Sequence, residues 1–490
     1  MKAIVIGSGI GGMASAVRLA SLGFETEVFE QNSFYGGKIN SKNIGPYRFD
    51  RGPSIFTEPH LVDELLSIVK ASDIDFDYHK LPNSCCYFFE DGKRIKLPTG
   101  TEAVAACLSE ELGEDQKNVE KLLRRFELNY KAVYPVFIKA SLHRIMQWLN
   151  RKVFKAITRI PFYGLFSSMN TVNRQSFKNP KTTQIFNRFA TYNGSNPFKS
   201  PGMFNIIAHL ELNVGPYMPK GGMVAISDAV YQKALELGVR FHFNKRVEKI
   251  LYSSGRVEGI ETSTNKIVCD LVTSNMDVHF TYDKLLPGLK GPVKILNQEK
   301  STSAVVFYWG IQKTFDNLDV HNIFFSNTYE SEFDHLFNKQ TLIDDPTIYV
   351  HISSKVEKND APDGCENWFV MVNAPIDAGQ DWVSQKQRLR KNILNKLKRL
   401  LKVDIEPLIG EEENVDPVMI EQMYSGKNGS IYGNASNTMM SSFYRHPNFS
   451  SKIKGLYFAG VTVHPGGGIP LALSSAAIVE KCVRRDFSIS

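Results

Sequence analysis

Short solid runs of apolar residues, each stopped by glycine, set the rhythm of this chain. The first is Ala3-Ile4-Val5-Ile6, closed by Gly7. A run of that length bounded by turn residues predicts a strand covered on both faces. Residues 2–45 then read as strand, glycine turn, helix, strand and second glycine turn, the opening of a βαβ unit. Residues 222–237 predict a helix stopped by Gly238, followed by strands at 239–243 and 247–252, and Ser253-Ser254-Gly255 folds the chain back into 256–262 as a hairpin. A third glycine-punctuated block gives a strand at 455–459, then Gly460, then helical composition over 470–483. The stretches between these blocks differ in character. Residues 86–219 are basic, aromatic and helical, whereas 292–416 carry strand-like runs at 304–311, 347–352 and 368–373 and a basic helix at 384–402. The implied class is α/β: a Rossmann-type cofactor domain assembled from residues 1–85, 220–291 and 417–490, with an inserted α+β substrate domain from 86–219 and 292–416.

Composition changes this picture in two ways. A length of 490 residues with 42% hydrophobic content suffices for two or three filled cores at roughly 150 residues each. The six cysteines, Cys85, Cys86, Cys107, Cys269, Cys365 and Cys482, have neither metal-site spacing nor disulfide-scaffold density, which suits a reducing cytoplasm. The apolar start is too brief for a signal peptide, and no run approaches the ~20 residues of a spanning helix. The net charge of +7 is concentrated: residues 117–181 hold fourteen Lys and Arg against Glu120 and Glu127. Within that stretch Ile138, Leu142, Ile145, Leu149, Val153, Ile157 and Ile160 recur at three- and four-residue steps, with Lys139, Arg144, Arg151, Lys152, Lys155 and Arg159 on other faces and Trp148, Phe154, Phe162 and Tyr163 nearby. Such a stripe is either core or a helix lying in a membrane interface. The expectation is a cytoplasmic protein peripheral on the membrane, without a nucleic-acid partner.

The chemistry begins at Gly7-Ser8-Gly9-Ile10-Gly11-Gly12, which follows a strand and opens a helix at Met13. Gly7 allows the tight turn, Gly9 and Ile10 bring backbone to a pyrophosphate, and Gly12 permits close helix–strand packing, while the helix N-terminus offers unpaired N–H groups to the anion. Glu30 ends the next strand, where a carboxylate accepts from both ribose hydroxyls and repels a 2′-phosphate. A dinucleotide without that phosphate is expected. No second glycine turn with its own acid follows, so electrons are not expected from NAD(P)H.

After the acid come Gln31, Gly36-Gly37-Lys38 and Gly52-Pro53-Ser54-Ile55. This segment resembles the GR2-type flavoproteins, whose members include amine oxidases, protoporphyrinogen oxidase and carotenoid desaturases. The resemblance implies FAD, with Gln31, Gly37, Lys38, Gly52, Pro53, Ser54 and Ile55 along it. Lys38 stands where many members carry Arg, replacing a bidentate clamp by a point charge. The middle block, Pro219-Lys220-Gly221-Gly222 with Val247 and then Ser274-Asn275, is similar to the segment in which a valine backbone meets the adenine; this implies roles for Val247 and Asn275. The closing block, Gly460 with Thr462, His464 and Pro465-Gly466-Gly467-Gly468-Ile469-Pro470, resembles the bacterial-type carotenoid desaturase branch, and implies that Gly460, Gly467, Gly468, Ile469 and Pro470 surround the flavin. Side-chain-free backbone lies flat on a ring face, and the helix from Pro470 aims its positive end at it.

That branch includes phytoene desaturases and 1-hydroxycarotenoid desaturases. The implied reaction is FAD-dependent insertion of a C=C bond into a carotenoid, with 3,4-desaturation of a 1-hydroxycarotenoid favoured and phytoene desaturation or another flavin oxidation as alternatives. A prenyl- or lipid-binding escort without redox chemistry is the non-enzyme reading. Hydride loss beside a long polyene leaves a delocalised cation, so a weak base suffices; His209 and Glu211 are the candidates, and neither a metal nor a nucleophile is expected. Oxygen or a membrane quinone then takes the electrons.

Overall fold

A computed structural model describes residues 1–69, 73–141, 143–144 and 148–489. Its first layer is a five-stranded parallel sheet in the order Leu456–Phe458, Leu271–Ser274, Lys2–Ile6, Glu25–Phe29 and Arg240–His242. Alternation along Lys2–Ile6 explains what covers it. Ala3 and Val5 point into a core shared with helices Ile10–Ser21, Val224–Glu236 and Ile469–Asp486, while Ile4 and Ile6 point into another shared with the antiparallel strands Val247–Ser253 and Arg256–Thr262. The apolar run at the start of the chain is thus buried on both sides. Three separate parts of the sequence meet in this sheet.

The second large sheet has seven strands, in the order Ile409–Val415, Ser303–Ile311, Glu366–Ala374, Ile348–Ile352, His321–Phe324, Asn83–Phe88 and Arg94–Pro98. Neighbours are antiparallel except His321–Phe324 with Asn83–Phe88. One face takes Phe307, Trp309, Trp368 and Val370 against Ile393 and Leu397 of helix Trp382–Leu401. The other face is covered at its far end by helices Thr101–Leu112, Gln116–Val133 and Pro180–Asn187, through Leu108, Leu123, Phe186 and their neighbours. At its near end Ala304, Val306 and Tyr308 pack with Tyr47, Phe49 and Ile420. A gap between these two covers opens toward the parallel sheet.

The basic aromatic stretch is broken into short pieces: Tyr134–Ile138, Arg151–Thr158 and Ile160–Tyr163, with Asn150 capping the second and Gly164, at φ +67°, ending the third. The interfacial stripe read as one helix is therefore corrected. Ile138 and Val153 are buried, whereas Leu149 (83% exposed), Phe154, Ile157 and Phe166 (84%) point outward beside Arg151, Lys152 and Lys155. Leu142 and Ile145 lie outside the described residues. None of the described helices is long and apolar enough to cross a membrane.

Candidate active site

One continuous cavity of about 430 Å³, within the range of small-molecule sites, runs from the first glycine turn to the open face of the seven-stranded sheet. Its near wall is almost free of side chains. Gly7, at φ +91°, turns the chain off the first strand, and Gly9 caps helix Ile10–Ser21 with no side-chain hydrogen bond. The first helical N–H groups consequently face the cavity, where a negative group satisfies them. Gly36 N–H donates to Ser8 O at 2.9 Å, and a Cβ on Gly37 would stand 3.1 Å from Gly9 Cα, so the two glycine turns lie on each other. Gly12 stands one layer back, where a side chain would strike the Gly7 carbonyl.

Asn275 holds the turns in place. Its Nδ2 donates to Ala459 O at 3.0 Å, and its amide fills the space beside Gly9, Gly11 and Gly460. Glu30 is buried at the cavity wall; its Oε2 accepts from Ser8 N (2.8 Å) and Ser8 Oγ (2.9 Å), and its Oε1 from Asn32 N (2.9 Å). Gln31 and Val247 line the same end. Lys38 Nζ donates to Ile431 O at 2.6 Å; burial pushes its ammonium down to about 8, and the Asp277 carboxylate opposes that shift. An anion here would raise Lys38 back toward its ordinary value. Gly52, Pro53, Ser54 and Ile55 follow along the wall, and Gly52 lies so close to the Lys38 carbonyl that no side chain fits.

From the opposite side, Gly460, Gly468, Ile469 and Pro470 complete the enclosure. Helix Ile469–Asp486 starts there, capped by Gly468 at φ +107° without a side-chain bond, so a second helix N-terminus opens on the cavity. Gly467 is set behind Tyr432: a Cβ on it would meet that ring at 2.5 Å, while Tyr432 itself faces the cavity. Arg51 and Arg246 also line the wall, and the Nε of Arg51 is buried without a partner among the described residues. Sequence reasoning passed over both arginines and Tyr432. Adjacency of Arg51 to the Gly52-Pro53 pair was the available signal.

His209 and Glu211 share the segment His209–Val214 but not the cavity wall. Glu211 is buried beneath Arg188, whose Nη2 donates to its Oε1 at 2.6 Å; Ser84 and Tyr192 hydroxyls also donate to it. His209 pairs through Nδ1 with Asn213 Nδ2 at 2.9 Å, and burial pushes its ring down to about 4. Among the described residues no group of three His, Cys, Asp or Glu is arranged to hold a metal ion.

Two helix N-termini, a wall of backbone, the buried Glu30 carboxylate and the cations Lys38, Arg51 and Arg246 around one cavity fit a dinucleotide. Residues 10–479 match the family described as flavin containing amine oxidoreductase, and the chain belongs to that family. It is an FAD-binding oxidoreductase. Among its relatives, a 1-hydroxycarotenoid 3,4-desaturase of Flavobacterium sp. (strain P99-3) is 46% identical over 482 residues, covering 98% of this chain and 99% of the relative. A 4,4'-diapolycopene oxygenase of Methylomonas sp is 29% identical over 99% of this chain and 98% of its own length. The fold is shared with cyclohexylamine oxidase of Brevibacterium oxydans, at TM-score 0.64 and 13% identity over 99% of both chains.

Proposed function

We propose that this chain is an FAD-dependent carotenoid desaturase, acting on the 3,4 bond of a 1-hydroxycarotenoid. The observation that carries the reading is the 46% identity to an enzyme of that name along almost the whole of both chains. Bound FAD accepts the hydride in such a reaction. The chain's own tasks follow from the cavity: Gly9, Ile10, Glu30, Lys38 and Arg51 bind the dinucleotide, while Val306, Phe369, Met371 and Ile420 offer an apolar floor that excludes water and aligns a polyene. In this reading residues 1–85, 220–291 and 417–490 supply mainly the cofactor side and 86–219 with 292–416 mainly the substrate side, although Ile420 joins the apolar floor and the strand Asn83–Phe88 runs across the first boundary.

With the carboxylate of Glu211 already bonded to Arg188, Ser84 and Tyr192, a proton released from the substrate reaches it only through the Tyr192 hydroxyl, which lines the cavity. The exposed Leu149, Phe154, Ile157 and Phe166, set among Arg151, Lys152 and Lys155, support docking on an anionic membrane, where both the substrate and a quinone acceptor dissolve. Supplying the purified yellow protein with acyclic carotenoids in liposomes tests the reading: a product carrying one more conjugated double bond is expected from the 1-hydroxylated member. A panel left unchanged under both oxygen and quinone overturns it, and a product oxidised at a terminal methyl assigns the chain to the oxygenase relatives instead.

A further inference from the structure

The open face of the seven-stranded sheet carries a row of side chains, one per strand: Val415, Val306, Met371, Tyr349, Ile323 and Tyr87. The first three are apolar. At Tyr349 the row turns polar, its hydroxyl standing 2.7 Å from Ser54 Oγ and 2.8 Å from His321 Nδ1. Past this point the cavity is bounded by Arg188 and Tyr329. Arg188 is buried, with Nη2 donating to Glu211 and, at 2.9 Å, to the Tyr87 hydroxyl, so its charge is balanced; its Nε nevertheless has no acceptor among the described residues. The Tyr329 hydroxyl is likewise buried and has no partner among the described residues.

A buried donor left unpaired carries its desolvation penalty uncompensated, so two such donors among the residues lining one cavity point to a ligand that brings the missing oxygen. Resting on the desaturase reading, we propose that Arg188 and Tyr329 form the seat for the hydroxyl of a 1-hydroxylated polyene end and thereby decide which bond lies against the flavin. Position agrees with this. The oxygen of such an end is three bonds, one C–O and two C–C, from C3 of the 3,4 bond, roughly 3–4 Å at about 1.5 Å per bond. Ile323, beside the seat, is one strand step of about 4.8 Å from Tyr349, which is tied to Ser54 at the cofactor wall. An end without the hydroxyl leaves both donors unpaired and is rejected, the form of discrimination in which a site built for a hydrogen bond excels.

The test compares two carotenoids identical except for the 1-hydroxyl, in liposomes, with FAD-loaded wild type and Tyr329→Phe. Removing an unpartnered hydroxyl leaves the fold and flavin content intact, which absorbance at the flavin bands verifies. Wild type is expected to prefer the hydroxylated substrate. In Tyr329→Phe kcat/KM on that substrate falls about tenfold, through KM, while the value for the unhydroxylated polyene holds or rises. An unchanged ratio between the two substrates in Tyr329→Phe overturns the seat, as does a wild type that treats both alike; either leaves desaturation standing. A wild type that oxidises neither polyene overturns the desaturase reading and the seat with it.

Discussion

The amide oxygen of Asn275 stands 2.7 Å from the point where a Cβ on Gly9 would lie. Gly9 itself has φ −64° and ψ 167°, values any residue adopts, so the demand for glycine here is one of space and not of backbone conformation. Gly9→Ala is expected to displace the Asn275 amide, break its bond to the Ala459 carbonyl and raise the FAD dissociation constant at least tenfold. In an Asn275→Ala background the same substitution should cost far less. Fluorescence titration of the apoprotein with FAD across this double-mutant cycle checks the coupling, and additive losses would refute it.

Glu30 presents a buried carboxylate held by Ser8 and Asn32, and its proposed role is to receive two ribose hydroxyls. Glu30→Gln keeps the shape but turns one oxygen into a donor facing the Ser8 or Asn32 N–H. FAD retention through gel filtration is expected to drop sharply, while Glu30→Asp retains part of it. Full flavin content in Glu30→Gln would remove the residue from the cofactor site.

Charge reversal at Arg151, Lys152 and Lys155 leaves the neighbouring apolar side chains in place. Co-sedimentation with anionic liposomes is expected to fall at least tenfold in the triple Glu variant and to weaken with salt in wild type, since roughly 1 kcal/mol accompanies each basic residue near such a surface. Binding indifferent to both changes would exclude an electrostatic dock.

Stability should fall on acidification. Burial pushes the rings of His209 and His446 down to about 4 and those of His321 and His464 to about 3. Their folded values lie below the ordinary value of about 6.5, so the unfolded chain binds protons first and stability is lost as pH drops from 6.5 toward 3, at up to about 1.4 kcal/mol per unit and group. Glu332 acts in the opposite sense: burial raises it to about 7, so its contribution is complete below about 4.5 and is lost as pH rises through 7. Urea midpoints at pH 5 well below those at pH 7 are expected, and equal midpoints would contradict the burial of these rings.

Anaerobic mixing with NADH or NADPH should leave the flavin bands intact. Bleaching by either nucleotide would overturn this expectation, which rests on one glycine fingerprint in the sequence, Gly7 to Gly12, and would point to a reductase.

What was legible in the sequence was local. Gly7, Gly9, Gly12 and Glu30 are spaced by one strand–helix–strand unit, and that spacing alone fixes their geometry. The proposed seat at Arg188 and Tyr329 was not, because the two side chains lie 141 positions apart, in the short helices Arg188–Asn193 and Tyr329–Asp334. His209 and Glu211 were chosen for their nearness in sequence to Gly221-Gly222; neither lines the cavity, and the Glu211 carboxylate is bonded to Arg188 and Tyr192 behind its wall. The stripe at 138–160 misled in a different way, since periodicity shows which positions match a helix and not where the helix stops at Lys139, restarts at Asn150 and breaks again at Arg159.

The edge strand Leu456–Phe458 pairs with Leu271–Ser274, which in turn pairs with Lys2–Ile6. Lys2–Ile6 finds Glu25–Phe29 early on its other side, but this side of the sheet is completed only by residues some 270 and then 450 positions later. Until the ribosome has released Gly460 and the helix that starts at Ile469, the glycine turn at Gly7 has only half of its enclosure, and FAD has nothing to close upon. Closure of the cavity therefore needs the strand Leu456–Phe458 and the helix that follows it, and until they are made the nascent chain carries an open parallel edge, a hazard for aggregation.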